Sequence, residues 1–232
     1  MEALVQLTTK ETRTEKLLRL LQTPADFLDT TLPSGVFSHS QFQSWLFCGK
    51  AYEFRYVRKF QSPNYPATSK GSAVHSGVEF LLRAKMAGEI PVLAAGLEAV
   101  SRKFDEMAMG VLDWGKDDDD NDVKPGDVKD EAIKLVETFG VHALPKINPL
   151  AVEKGFAKKV GGVSMIGYID LIDERPAMEI PGMSAEDAAL SPKRRVVVDT
   201  KTGSKKWSKA ALENNAQLTL YAGVEGVPDV RV

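Results

Sequence analysis

The sequence is poor in residues that staple or ligate. It holds one cysteine, Cys48, and three histidines in 232 residues. A single thiol closes no internal disulfide, and alone it holds neither a structural zinc nor an iron–sulfur cluster. A reducing, cytoplasmic setting is therefore expected. No apolar run approaches the roughly 20 residues that span a bilayer. The N-terminus has acidic residues and a late amphipathic stretch in place of a charged-then-apolar signal, so no membrane partner is expected. An excess of positive charge is missing too, since 30 basic residues face 32 acidic ones and the net charge is −2. That excludes a protein that binds nucleic acid by overall basicity, but not an enzyme with a local basic groove. What the chain does have is 43% apolar residues, enough for one globular domain with a real core.

Hydrophobic spacing and turn residues predict the order of elements. Helices are expected over 9–21, 41–59, 72–87, 91–109, 131–143 and 208–222. Ser38 or Ser40 is positioned to cap the second. Its apolar residues Phe42, Trp45, Leu46, Tyr52 and Tyr56 fall near helical spacing, which predicts that they enter the core. The run at 113–131, with four consecutive aspartates at 117–120, reads as an acidic surface insertion. Strands are expected at 152–160 and 163–172, joined by Gly161-Gly162 as a hairpin. Another follows at 195–200 after an irregular stretch, 174–194, and one more begins at 227. Helices first and strands later predict an α/β domain with a small mixed sheet flanked by helices. The chain stops inside that last expected strand, which leaves open whether the natural protein continues past Val232.

The chemistry concentrates in two short runs, VVVDTKTG at 196–203 and GYID at 167–170. Residues two apart on a strand share a face, so Asp199 and Lys201 point the same way just beyond three valines. Asp170 stands likewise at the end of its own strand, and if the two strands pair, the carboxylates converge. Paired carboxylates are hard oxygen ligands of the kind Mg²⁺ takes. A metal held there activates water and stabilises charge on a phosphodiester, with the nearby lysine assisting. The competing reading of Asp199 and Lys201 is a surface ion pair worth at most about 1 kcal/mol.

Further motifs decide between these. GYID, then VVVDTKTG, then QLTLYA at 217–222 resembles the RecB-like branch of the PD-(D/E)xK nuclease superfamily, which includes RecB nuclease domains and CRISPR-associated RecB-like exonucleases. The family pattern also has a G-x-x-x-H on an upstream helix, matched by GSAVH at 71–75. An S-x-S–aromatic helix–C-x-x-x-Y segment lies before that, matched within 38–56. The resemblance implies a restriction-endonuclease-like core over 36–232 behind an N-terminal helical extension, 1–35. It implies Mg²⁺ or Mn²⁺ held by His75, Asp170, Asp199 and the main-chain carbonyl of Thr200, with Lys201 and Gln217 assisting catalysis. Tyr221 is a candidate contact to phosphate or base. Glu153 matches an acidic residue that often precedes the first hairpin strand in relatives. It is read either as a supporting group of the site or as an exposed acid at a strand start. Lys205, Lys206 and Trp207, just after the motif, combine basic and aromatic character suited to substrate binding. Lys50, Arg55, Arg58 and Lys59 on the aromatic helix invite a similar reading. His39 and His142 match nothing.

The chain departs from many relatives in one respect. Their iron–sulfur cluster uses four cysteines, and only Cys48 is present, so no cluster is expected in this chain. In the family pattern the other three cysteines lie near the C-terminus, beyond Val232 if the chain continues. The function expected is a metal-dependent DNA exonuclease of recombination, repair or replication, acting on single strands or ends, with a helicase or recombinase as possible partner. The alternative is a nuclease-fold subunit that binds DNA or a partner with little activity of its own, for which the acidic segment 113–131 is the candidate surface. A non-nuclease metal hydrolase is a third reading.

Overall fold

The computed structural model describes residues 11–60, 62–117, 119–177, 184–203 and 207–232. They form a mixed α/β structure with a mixed β-sheet flanked by helices, as the element order predicts. The chain divides into two compact units, Met1–Phe60 with Gly155–Tyr168, and Gln61–Lys154 with Ile169–Val232.

The first unit contains α1 (Arg13–Leu20), β1 (Phe37–Ser38), α2 (His39–Phe47) and α3 (Gly49–Tyr52), with the turn end of a long hairpin. That hairpin is β2 (Pro149–Val160) and β3 (Val163–Pro176). Its turn is Gly161-Gly162, at φ 58° and 84°, the left-handed pair that a tight hairpin of matching twist requires. Here β1 runs parallel to β3, with Phe37 opposite Met165. Leu17, Phe27, Val36 and Ile166 make a small core. Ser38 caps α2 as expected: its Oγ accepts the Gln41 N–H at 3.3 Å, and Gln41 Oε1 accepts the Ser38 N–H at 2.9 Å.

The aromatic helix differs from expectation. Cys48, at φ −161° and ψ 110°, interrupts it, and a π-helical turn, Glu53–Val57, follows α3. A break of this kind ends one continuous stripe, so residues before and after it need not share a face. Phe42, Tyr52 and Tyr56 are half-buried, with Phe37 against Phe42 and Tyr52. Trp45 and Leu46, expected in the core, are exposed, as is Phe47 at 90%.

The second unit holds α4 (Pro66–Met86), α5 (Leu93–Ala108), α6 (Pro125–His142), α7 (Ala185–Leu190), α8 (Lys209–Glu213) and α9 (Ala216–Glu225). Its strands are the open halves of β2 and β3 with β4 (Lys193–Val198) and β5 (Val230–Arg231). β3 pairs antiparallel with β4 and β4 parallel with β5. Helices α4, α5 and α6 pack with Val152, Leu171 and Val198 of the strands into the main core.

Two expectations need correction here. The acidic segment 113–131 is helical from Pro125 onward, because that proline opens α6 at a first-turn position where its missing N–H costs nothing. The helix expected over 208–222 is two helices, because the Asn215 side chain turns back to accept the Leu218 N–H and starts α9 afresh. The irregular stretch 174–194 contains the end of β3 and α7, while residues 178–183 lie outside those described. Asp173 is fully buried, held by the Asn148 N–H at 2.7 Å and the Arg175 guanidinium at 2.6 Å. It ties the start of β2 to β3.

Close approach of α4 to its neighbours depends on Gly77. A Cβ there would lie 2.5 Å from Val100 Cγ2 and 3.1 Å from the Gly96 carbonyl oxygen. Gly77→Ala is expected to lower stability by about 1–3 kcal/mol through overpacking, despite its better helix propensity. Gly126→Ala, in α6 with open space around it, is expected to be neutral or stabilising by up to about 1 kcal/mol. Thermal melts followed by circular dichroism distinguish the two. Equal melting points would show that the α4 contact yields without cost.

Candidate metal centre

The register of β3 and β4 builds the site. Leu171 stands opposite Val198, and one further step in that antiparallel register puts Asp170 across from Asp199. Opposite residues of an antiparallel pair point to one face, so the two carboxylates emerge together where the apolar strands end. Asp199 and Lys201 lie just past β4, not within a strand as expected. The Asp199 N–H still continues the ladder, donating to the Arg231 carbonyl at 3.0 Å.

Asp199 is 1% exposed. Its Oδ1 accepts from Gln217 Nε2 at 3.1 Å. Its Oδ2 is buried without a hydrogen-bond partner among the described residues. The Lys201 ammonium lies 2.6 Å from that oxygen, an ion contact without hydrogen-bond alignment. Lys201 Nζ also donates to Gln217 Oε1 at 3.2 Å, and Gln217 Nε2 donates to the Tyr221 hydroxyl at 2.9 Å. One amide thus reaches the acid, the lysine and the tyrosine. Gln217 and Tyr221 share a face of α9 because they are four residues apart. The Tyr221 ring is buried, and burial is the main cause that pushes its hydroxyl up to about 12. It stays neutral at any working pH. Its depth suits it to hold Gln217 more than to touch a substrate.

Asp170 receives the Thr200 N–H at 2.8 Å on Oδ2, and the His75 Nδ1 lies 3.7 Å from the same oxygen. Burial raises the Asp170 carboxyl above its ordinary value. His75 and the Thr200 N–H oppose that rise, Asp199 adds to it, and Lys201 also opposes it. His75 projects from α4 one turn after Gly71. A methyl added at Gly71 would lie 3.6 Å from Thr202 Oγ1, so the motif helix runs beside the motif loop.

Glu153 completes the group. One ligand atom each from His75, Glu153 and Asp170 lie within 4.8 Å of one another. Spacing could not decide its role, because the Glu153 backbone departs from regular strand geometry. It adopts φ 49°, in the left-handed region that a non-glycine residue takes at a cost. Such strain persists where surroundings or function demand it. The signal available in sequence was only the position of an acid near a strand start.

The donor set fits a hard divalent cation. Two carboxylates and an imidazole converge, and a third, buried carboxylate keeps one oxygen without a hydrogen bond. The structure therefore brings together His75, Glu153 and Asp170 as one group, and Asp199, Lys201, Gln217 and Tyr221 as a bonded network. The Thr200 N–H joins the network to Asp170. Trp207 is half-buried ahead of α8. Lys205 and Lys206 lie outside the described residues. Among the described residues no helix is long and apolar enough to cross a membrane.

Comparison with known proteins gives one family match, and no curated protein matches. The profile of the PD-(D/E)XK nuclease superfamily spans residues 36–224, from the start of β1 to near the end of α9. With the Asp170, Asp199 and Lys201 signature at the strand ends and the profile covering most of its length, the chain belongs to the PD-(D/E)XK nuclease superfamily, a group of metal-dependent nucleases.

Proposed function

We propose that the chain is a RecB-like DNA exonuclease that uses Mg²⁺ or Mn²⁺, acting in recombination, repair or replication inside the cell. The observation that carries this reading is Asp199, a carboxylate buried at the end of β4 beside Lys201 and close to a second acid group. A structural ion pair does not need a buried oxygen without a hydrogen bond, a third carboxylate on a strained backbone and a histidine. A metal site does.

Each residue then has a distinct task. His75, Glu153, Asp170, Asp199 and the Thr200 carbonyl are the groups that would hold the ion. A divalent cation there supplies Lewis acidity toward the phosphodiester. Lys201 neutralises charge that develops on the phosphate and steers the attacking water. Gln217, fixed from behind by Tyr221, keeps the lysine and Asp199 in register. Lys205, Lys206 and Trp207, in the segment just after the motif, are proposed substrate contacts. Preference for single-stranded ends, and a helicase or recombinase partner, rest on the RecB-like resemblance.

Asp199→Ala and Lys201→Ala are each expected to lower cleavage of end-labelled DNA more than about a hundredfold. Gln217→Ala should fall less, and Glu153→Gln should raise the Mn²⁺ concentration needed for half-maximal rate. Full activity in Asp199→Ala and Lys201→Ala would remove the site assignment.

A pH effect on stability follows from Asp170. Its carboxyl holds a proton more tightly in the folded chain than unfolded, so that contribution favours the fold at low pH and is lost as pH rises through the raised value. A divalent ion replaces the proton there. Mn²⁺ is therefore expected to raise the melting temperature most near neutral pH and progressively less toward the ordinary carboxylate range, with the gain reduced in Asp170→Asn. A gain of equal size at every pH would contradict this linkage.

A further inference from the structure

The segment that departed most from its expected burial also carries an organised surface. Phe54 is 38% exposed and Phe60 59%, and their rings stack at 5.6 Å and 19°. Lys50 Nζ lies 5.1 Å from the centre of the Phe54 ring and the Arg58 guanidinium 5.6 Å from it. Arg55 stands 5.4 Å over Tyr56. Glu53 bridges the first two cations, at 2.7 Å to Lys50 and 2.6 Å to Arg58. The backbone beneath is the π-helical turn Glu53–Val57, and Lys59 follows in the left-handed region at φ 57°. π-turns are uncommon and collect at functional places.

From 50 to 60 the sequence has four basic residues against one acid, in a chain whose net charge is −2. Positive charge is thus concentrated where rings are exposed and stacked. We infer that the Phe54–Phe60 stack with Lys50, Arg55, Arg58 and Lys59 is a holding surface for single-stranded DNA. The inference rests on the reading of the chain as an enzyme that acts on DNA, and adds where a strand is gripped.

The chemistry selects this occupant over others. An apolar protein partner covering Phe54 and Phe60 would strip water from Lys50 and Arg58 without giving them anions, and interface cores are depleted in lysine for that reason. A DNA single strand offers both halves of the match, bases to extend the aromatic stack and phosphates for the cations. A duplex presents the phosphates but keeps its bases inside its own stack. Glu53 orders two of the cations without cancelling the excess.

The test measures binding with cutting switched off. Fluorescence anisotropy of a labelled oligothymidylate is read with the full chain in EDTA, against a labelled duplex. Phe60→Ala is expected to weaken oligothymidylate binding about tenfold while leaving the duplex nearly unchanged. Phe60→Trp should keep the affinity and show quenched fluorescence on binding, which also certifies the fold. Arg55→Gln with Lys59→Gln should flatten the salt dependence of log K by about 1.4, from two lost phosphate contacts. Mn²⁺-dependent hydrolysis of bis(p-nitrophenyl) phosphate, which has one phosphate and no nucleobase to stack, should persist in all these variants. Unchanged oligothymidylate binding in Phe60→Ala overturns the inference, and so does an equal loss on the duplex. Sedimentation showing that Phe60→Ala separates copies of the chain would assign the surface to self-association and also overturn it. A wild-type chain that cleaves nothing yet binds through Phe60 would retire the nuclease reading and leave this one standing.

Discussion

Two carboxylates are forced to the same face where β3 and β4 end, and the rest of the site is arranged around that fact. Asp170 and Asp199 face one another across an antiparallel pair whose neighbouring residues, Leu171, Val196 and Val197, are buried and apolar. Like charges in that position need compensation. Lys201 gives part of it to Asp199, His75 and the Thr200 N–H give part to Asp170, and the remaining demand is what a cation would satisfy. The helices answer the same demand from two directions. α4 carries His75, and α9 carries Gln217 with Tyr221 beneath it.

Strain and satisfaction are distributed unevenly. The buried Asp173, only three residues from Asp170, is fully engaged by Asn148 and Arg175, so it serves the fold. Asp199 has one oxygen that meets the Lys201 ammonium but accepts no hydrogen bond among the described residues. Glu153 accepts a left-handed backbone in the middle of a strand. Three acids within one sheet thus have three different states, and a fourth, Asp170, joins the site while accepting the Thr200 N–H. Sequence alone treats all of them as acids in β-branched surroundings.

Much of the site was legible because its residues are fixed by short-range rules. The D-x-K spacing puts Lys201 beside Asp199 even though both lie just past the strand, helical spacing places Gln217 with Tyr221, and the glycine pair 161–162 sets the hairpin. What escaped depends on departures from regularity. Glu153 is aimed by a single reversed φ that no pattern announces. The aromatic helix breaks at Cys48, so the spacing that joins Trp45 and Leu46 to Tyr52 and Tyr56 does not carry across it, and the first two are exposed. The start of α6 at Pro125 and the division between α8 and α9 at Asn215 are cap chemistry overriding charge and hydrophobic pattern.

The glycine contact between α4 and α5 has a consequence for how such a site can drift. Gly77 lies two residues beyond His75, and its missing side chain lets Val100 and the Gly96 backbone approach. The stretch of α4 that carries the imidazole is therefore packed directly against α5. A volume change at position 96 or 100, on a helix that contributes no proposed ligand, is expected to press on α4 near His75 while every proposed ligand stays the same. Substitutions on α5 are thus a route to the proposed site that an inspection confined to the motif residues misses.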